Sequence, residues 1–169
     1  MRIAFFGRYR SFGYNYIGGT DSLVRRISTE LVNRQDVQVD YVTYRASQEE
    51  EITHLPGLRS RYYCTLGKAL ETLTDYDHVI TLYLPPRELL IYRRFLTHRG
   101  NNTRFHMLYQ SWPDFVLKRK LMFALYRLVP FNSCSFAISP RLVHQIKRWR
   151  HQAGLLLPPV PPGYFMPLA

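Results

Sequence analysis

Strand-like and helix-like segments alternate along the whole 169-residue sequence, and this alternation restricts the possible folds more than any other feature. Short apolar runs such as Arg2–Phe6 and His78–Leu84 are typical of buried strands. The segments between them place apolar residues at helical spacing, for example at Leu23, Ile27 and Leu31. The order βαβαβαβαβαβ predicts an α/β fold, with a Rossmann-like parallel sheet flanked by helices on both faces.

Local signals predict where several of these elements begin and end. Thr20 or Asp21 is expected to cap the first helix, because both side chains accept hydrogen bonds from free backbone N–H groups. Residues 45–58 are polar and contain a Pro-Gly pair, so we predict a loop there. A last short strand is expected at residues 155–157.

The chain is predicted to hold one domain, over residues 1–157. Residues 158–169 contain five prolines, and this composition predicts either an inter-domain linker or a C-terminal strap across the domain. Two cysteines do not make a disulfide framework, which favours a cytoplasmic protein. No run of about 18 apolar residues is present, so no transmembrane helix is expected.

The net charge of +11 is concentrated in one part of the chain. Residues 1–86 contain ten basic and ten acidic residues, whereas residues 87–150 contain thirteen basic and two acidic residues, a difference of 13 − 2 = +11. This asymmetry predicts a basic face with an anionic partner, such as nucleic acid, anionic lipid or a phosphorylated sugar.

Two adjacent glycines precede the first predicted helix. Glycine lets backbone N–H groups approach an anion closely, and the start of a helix favours negative charge. Gly18, Gly19 and Thr20 are therefore candidates to bind a phosphate. The spacing is not the GxGxxG of dinucleotide-binding turns. The alternative is that the glycines only ease the turn into the helix.

The segments around this turn resemble a known family in their order. Strand, loop, Gly-Gly, the helix TDSLVRRISTELVNR and the strand VQVDYVTY are followed by DYDHVITLYLPP, FHMLYQSWPD, SFAISPRLVHQIKRW and LLLPPVPPGYFMP. This series resembles the N-terminal half of GT-B glycosyltransferases of the large group often called family 4. The resemblance covers essentially the whole chain. Pro158-Pro159 stands where the family has Pro-Asn-Gly.

The resemblance implies that a C-terminal domain, which binds most of the nucleotide-sugar donor, lies outside this chain or on a separate one. It implies a retaining sugar transfer without a bound metal, and no tightly bound cofactor. The Gly18-Gly19 turn would then close on the donor diphosphate. Gln110 falls where many members place a His near the transferred sugar, and Gln cannot act as a base. Gln110 remains the catalytic candidate, since it could still hydrogen-bond a sugar hydroxyl. Because the donor-binding domain would lie elsewhere, we expect the chain alone to be inactive.

The first loop contains residues suited to an acceptor. Its aromatic and arginine side chains would lie at the carboxyl ends of the strands, where such sheets bind ligands. The acceptor-binding candidates are Arg8, Tyr9, Tyr14 and Tyr16. The alternative is that this loop packs on itself.

Residues 114–129 predict a basic and apolar helix, which suits an anionic membrane surface as well as a buried crossover helix. The candidates for a membrane or anion face are Arg93, Arg94, Lys118, Arg119, Lys120 and Arg127. A protein that binds there would be cytoplasmic and peripheral at the inner face of the membrane.

Taken together, the sequence predicts the N-terminal domain of a retaining, nucleotide-sugar-dependent glycosyltransferase acting on a lipid-linked or cell-surface glycan. A nucleic-acid-binding α/β module is the first alternative, supported by the sequence pI of about 10.0 but by no known nucleic-acid motif. A non-catalytic glycosyltransferase subunit that presents an acceptor is the second.

Overall fold

The structure is a computed structural model, which describes residues 1–8, 19–34, 36–82, 84–98, 103–109, 135–147 and 153–156. The strands are β1 (Arg2–Arg8), β2 (Gln38–Tyr44), β3 (Glu50–Leu55), β4 (Leu58–Tyr63), β5 (His78–Thr81), β6 (Arg104–Tyr109), β7 (Ser135–Ala137) and β8 (Ala153–Leu155). The helices are α1 (Gly19–Val32), α2 (Leu66–Thr72), α3 (Pro86–His98) and α4 (Pro140–Lys147), and a short 3-10 helix (Leu73–Asp75) follows α2.

All eight strands form one sheet in the order β3-β4-β2-β1-β5-β6-β7-β8. Every neighbouring pair is parallel except β3 and β4. The predicted α/β fold with a parallel sheet is therefore confirmed.

Each face of the sheet has its own apolar core. One core includes Val24 of α1, beneath which lie Phe5 and Tyr41. The other includes Leu89 of α3 and Ile146 of α4. Helices thus cover both faces, because strand residues alternate between the two sides and nearly all of those in β1 and β2 are buried.

The predicted loop at residues 45–58 is wrong, because the structure contains a β-hairpin there. Strands β3 and β4 pair antiparallel around Pro56-Gly57, and Gly57 adopts a φ of 82°. That backbone conformation suits glycine, and proline before it is typical of a tight turn. The polar residues of β3 misled the prediction, since an edge strand needs few apolar side chains.

Two predicted boundaries also shift. Helix α1 begins at Gly19, so neither Thr20 nor Asp21 precedes it as a cap. The last strand lies at Ala153–Leu155, two residues earlier than expected.

Asp40 in β2 is a carboxylate buried within the sheet, with a side chain that is 1% exposed. Arg59 binds it through two hydrogen bonds, Nε to Oδ1 and Nη2 to Oδ2, each 3.0 Å long. The hydroxyl of Tyr76 donates to Oδ2 across 2.6 Å. Arg61 Nε lies within ion-pair distance of both Asp40 (3.4 Å) and Glu51 (3.1 Å), although its hydrogen-bond geometry is poor. Such a buried charge is tolerated because it is paired and hydrogen-bonded.

Candidate functional site

The connections of the sheet change sides between β1 and β5. The chain leaves β1 and returns to β2 by way of α1, which packs on one face, whereas it passes from β5 to β6 by way of α3 on the other face. Because the helices diverge at this point, a ligand crevice is expected beyond the carboxyl ends of β1 and β5.

Four polar residues meet at this edge, and we refer to them as the edge cluster. Its members are Arg8, Tyr44, Arg45 and Glu88. Arg8 ends β1 and lies opposite Tyr44 in the strand register. Tyr44 donates its hydroxyl hydrogen to Glu88 Oε2, and Arg45 Nη2 lies 2.7 Å from Glu88 Oε1. Oε2 thus accepts a hydrogen bond from Tyr44, and Oε1 is ion-paired with Arg45.

Aromatic rings pack against one another beneath the edge cluster. The ring of Phe6 lies 5.4 Å from that of Tyr44 and 5.6 Å from that of Tyr92. The hydroxyl of Tyr92 is paired with Thr81 Oγ1 at 2.7 Å. Rings at these separations attract one another beyond the area that they bury, so the position of Tyr44 is tightly defined.

Glu88 reaches the cluster because α3 begins there. The helix starts at Pro86, a residue whose fixed φ suits the first helical position, and Glu88 lies in its first turn. A carboxylate is favoured at a helix start by the partial positive charge of the free N–H groups. The residue is only 5% exposed.

Burial raises the pKa of Tyr44 well above its usual value, and the hydrogen bond to Glu88 raises that pKa further. The phenol therefore stays protonated at neutral pH and acts as a donor. With two guanidinium groups and one carboxylate, the edge cluster carries a net charge of 2 − 1 = +1. It can therefore attract an anion, whereas both oxygens of Glu88 already lie against groups of the chain.

Of the predicted phosphate-binding residues, Gly19 and Thr20 form the start of α1, and Gly18 lies outside the described residues. Helix α1 runs from the carboxyl edge of the sheet to its amino edge, where Gln38 N donates to Met1 O across 2.9 Å. The backbone therefore carries Gly19 to the same edge as the edge cluster.

Among the predicted acceptor and membrane residues, three lie in described segments. Arg8 belongs to the edge cluster, and Arg93 and Arg94 are exposed on α3. The others lie outside the described residues: Tyr9, Tyr14, Tyr16, Gln110, Lys118, Arg119, Lys120 and Arg127.

Sequence reasoning missed Tyr44, Arg45 and Glu88. The rule that ligands bind beyond the carboxyl ends of parallel strands extends to the end of β2, where Tyr44 and Arg45 lie. Glu88 also carried a signal, since it directly follows Pro85-Pro86 and Arg87 at the start of a predicted helix.

A second polar pair lies near the amino edge of the sheet. His78 Nδ1 and His106 Nε2 are 3.0 Å apart, and their rings stack at 5.3 Å.

Within the described residues no group of three or more His, Cys, Asp or Glu side chains is arranged to hold a metal ion. None of the described helices is long and apolar enough to cross a bilayer.

Comparison with solved structures supports the fold. The chain is similar to sucrose-phosphate synthase from Thermosynechococcus elongatus, with a TM-score of 0.61 and 17% identity over 92% of this chain and 47% of that one. It is also similar to an alpha-glucosyltransferase in complex with UDP-glucose and DNA containing an abasic site, with a TM-score of 0.56 and 18% identity over 94% of this chain and 43% of that one.

The same similarity holds for an alpha-glucosyltransferase in complex with UDP, with a TM-score of 0.54 and 15% identity over 95% of this chain and 44% of that one. No protein-family model matches the sequence, and neither does any curated protein. The chain therefore has the fold predicted from its resemblance, that of the N-terminal half of a GT-B glycosyltransferase, and spans less than half the length of these structures.

Proposed function

We propose that the chain is the N-terminal, acceptor-side half of a nucleotide-sugar-dependent glycosyltransferase. The observation that carries this proposal is the similarity to two differently named sugar-transfer proteins over more than nine-tenths of the chain. Both neighbours are about twice as long, so the donor-binding half would lie on a further domain or a separate chain. The neighbours that contain UDP or UDP-glucose favour a nucleotide-sugar donor.

The donor diphosphate would lie against the Gly18-Gly19 turn and the start of α1. Free N–H groups at a helix start attract phosphate oxygens, and glycine allows them to approach closely. The acceptor would enter the crevice beside Arg8 and the tyrosines of the first loop. Transfer would retain the anomeric configuration, as the resemblance implies. We expect the chain alone to turn over no donor.

The acceptor that we favour is lipid-linked and is reached at the inner face of the membrane. The outer face of α3 supports this location, since Leu90 and Ile91 are 50% and 51% exposed beside Arg93 and Arg94. A shallow cavity of about 250 Å³ lies on that face and is lined by Leu90, Arg93, Arg94 and Thr97. Apolar and basic groups side by side suit the interface of an anionic membrane.

DNA is the second candidate acceptor. One neighbour of similar fold is an alpha-glucosyltransferase in complex with DNA, and the net charge of +11 favours a polyanion. DNA would then be a substrate of sugar transfer, which differs from the simple nucleic-acid-binding module that the sequence left open.

The experiment compares cells that lack the gene with cells complemented by the wild-type gene. Extracts receive radiolabelled UDP-glucose, UDP-galactose, UDP-N-acetylglucosamine or GDP-mannose, and label is counted in the lipid and DNA fractions. We expect wild-type complementation to restore label in the lipid fraction, and the double variant G18A/G19A to restore at most about a tenth of it.

Gly67→Ala is the matched control, because a Cβ at Gly67 meets no atom within 4 Å, and this variant should behave as wild type. Label restored in DNA would replace the lipid acceptor by the second candidate. Label that is the same with and without the gene, for every donor and fraction, would refute the proposed function.

A further inference from the structure

We propose that Arg8 and Arg45 form an anion subsite at the ends of β1 and β2, which takes a phosphate or carboxylate group of the acceptor, and that Glu88 is the positioning residue for Arg45. That the bound anion belongs to an acceptor rests on the proposed function, whereas the anion subsite itself rests on the edge cluster alone.

The two arginines are close to one another because of the strand register. Arg8 is the last residue of β1 and lies opposite Tyr44, the last residue of β2, and Arg45 follows directly. Burial raises the pKa of the Tyr44 phenol, and the positive charges of Arg8 and Arg45 act against that rise. The strand register thus brings both arginines to the same end of the sheet.

The side chains of Glu88 and Arg45 differ in how far they are buried. The Glu88 side chain is 6% exposed, whereas the Arg45 side chain is 55% exposed. Nη2 of Arg45 lies 2.7 Å from Glu88 Oε1, and a guanidinium carries five N–H donors in all. The carboxylate thus holds one corner of Arg45 from below and leaves a large part of it available at the crevice.

The backbone of Arg45 adopts an unusual conformation. Its φ is 66°, in the left-handed region that non-glycine residues rarely adopt. Such a conformation is unfavourable for a residue with a side chain, and here it accompanies the ion pair between the Arg45 guanidinium and Glu88. A side chain that is already held loses less entropy on binding.

The chemistry of the ligand follows from the planar guanidinium. Its parallel N–H groups match the paired oxygens of phosphate and carboxylate, which a neutral sugar hydroxyl does not offer. The edge cluster keeps a net charge of +1 after Glu88 is counted. An acceptor with one anionic group therefore fits better than a neutral one.

The test uses calorimetry on the full 169-residue chain with inorganic phosphate, glucose 6-phosphate and glucose as probes. We expect R45Q and R8Q each to weaken the affinity for both phosphate probes by about tenfold or more, the loss of a charge-assisted hydrogen-bond partner. R104Q, at the amino edge of the sheet, is the matched control and should change these affinities less than about twofold. Equal affinity in R45Q and wild type would overturn the subsite, as would an equal loss in R104Q.

The role of Glu88 is tested by the sign of its effect. E88Q raises the net charge of the edge cluster from +1 to +2. If net charge alone attracted the anion, this variant would bind phosphate more tightly. If Glu88 positions Arg45, the variant should bind phosphate more weakly, by about threefold or more, with its affinity for glucose unchanged. Thermal unfolding of E88Q checks that the chain is folded, and Y44F provides a second variant that leaves every charge in place and should weaken binding in the same direction. Tighter phosphate binding in E88Q would overturn the positioning role.

These outcomes are independent of sugar transfer. If R45Q loses phosphate binding while extracts show no gene-dependent label, the subsite stands and the proposed function fails. If extracts show label that R45Q leaves unchanged, the proposed function stands and the subsite fails.

Discussion

The hydroxyl of Tyr76 donates a 2.6 Å hydrogen bond to Asp40 Oδ2, and so joins the segment after α2 to the centre of the sheet. The same oxygen accepts from Arg59 Nη2 at 3.0 Å. Removing the charge of Asp40 therefore affects two separate partners at once.

We expect Asp40→Asn to lower the free energy of unfolding by about 3 kcal/mol, because it leaves the partly buried arginines without their buried counter-charge. Tyr76→Phe should cost about 1.5 kcal/mol, the value of a hydrogen bond to a charged group. Urea unfolding measures both. Glu49→Gln, which removes the exposed partner of Lys68, should leave the free energy of unfolding nearly unchanged. A change as small in Asp40→Asn would contradict this account.

The buried phenols predict an incomplete alkaline titration. Burial is the main cause that raises the pKa of Tyr44, Tyr76 and Tyr92 above the usual value near 10. Since these phenols ionise more readily in the unfolded chain, stability should fall as the pH rises above about 10. Absorbance at the phenolate band should show at least three fewer ionised tyrosines in the folded chain than the 13 of the unfolded chain.

Tyr92→Phe should reduce the difference in ionised tyrosines between the folded and unfolded chains by one, without changing the midpoint pH of the titration. Ionisation of all 13 tyrosines in one step near pH 10, while circular dichroism still reports a folded chain, would contradict the burial of these groups.

His54 predicts a pH dependence on the acid side. Burial lowers its pKa, and its Nε2 lies 2.7 Å from Ser60 Oγ. The unfolded state then binds more protons than the folded state, so stability is present above the unfolded pKa near 6.5 and falls as the pH drops below it. Unfolding curves between pH 7.5 and 5.5 should show this decline, and His54→Asn should flatten it. A slope that is the same in His54→Asn and wild type would contradict this role of His54.

Two glycines make opposite predictions on substitution by alanine. A Cβ at Gly154 would lie 3.2 Å from Cδ1 of Phe136, whose ring packs on His106 at 5.4 Å, so the ring must shift. We expect Gly154→Ala to cost about 1 kcal/mol. Gly67→Ala, in the first turn of α2, meets nothing and should stabilise the chain by about 0.5 kcal/mol. Thermal unfolding should therefore move in opposite directions for the two variants.

The exposed face of α3 predicts binding to anionic vesicles. Each basic residue near such a surface contributes about 1 kcal/mol, so R93Q/R94Q should weaken binding to vesicles of phosphatidylglycerol by about thirtyfold at low salt. L90S/I91S should weaken binding that persists at high salt, because salt screens only the charges. The control is Leu155→Ser, an exposed apolar residue on β8. Loss of binding in that control would assign the membrane surface elsewhere.

The sequence predicted the layered fold because that information is local. Apolar runs bounded by turn residues predict strands whatever they pair with. The dipeptide Ser139-Pro140 by itself indicates a helix start, and in the structure Ser139 Oγ accepts a hydrogen bond from Leu142 N across 3.3 Å. The hairpin β3–β4 escaped because its stability comes from pairing and from the ion pairs of Arg59 and Arg61, which no local pattern reveals.

The candidate site was predictable only in part. Arg8 follows an obvious strand, so its place at the edge could be expected. Glu88 and Tyr44 are 44 residues apart, and only the packing of α3 beside β2 brings them together. The side-chain direction of Arg45 depends on a positive φ, which a non-glycine residue does not announce in sequence.

The two outer strands of the sheet differ in a way that bears on self-association. Strand β3 begins with Glu50 and Glu51, so two copies meeting there would bring like charges face to face. Strand β8 instead exposes Leu155, which is 44% accessible. Of the two outer strands that the described residues contain, β8 is therefore the one through which copies of this sheet should join edge to edge, and such joining gives closed pairs rather than open fibres.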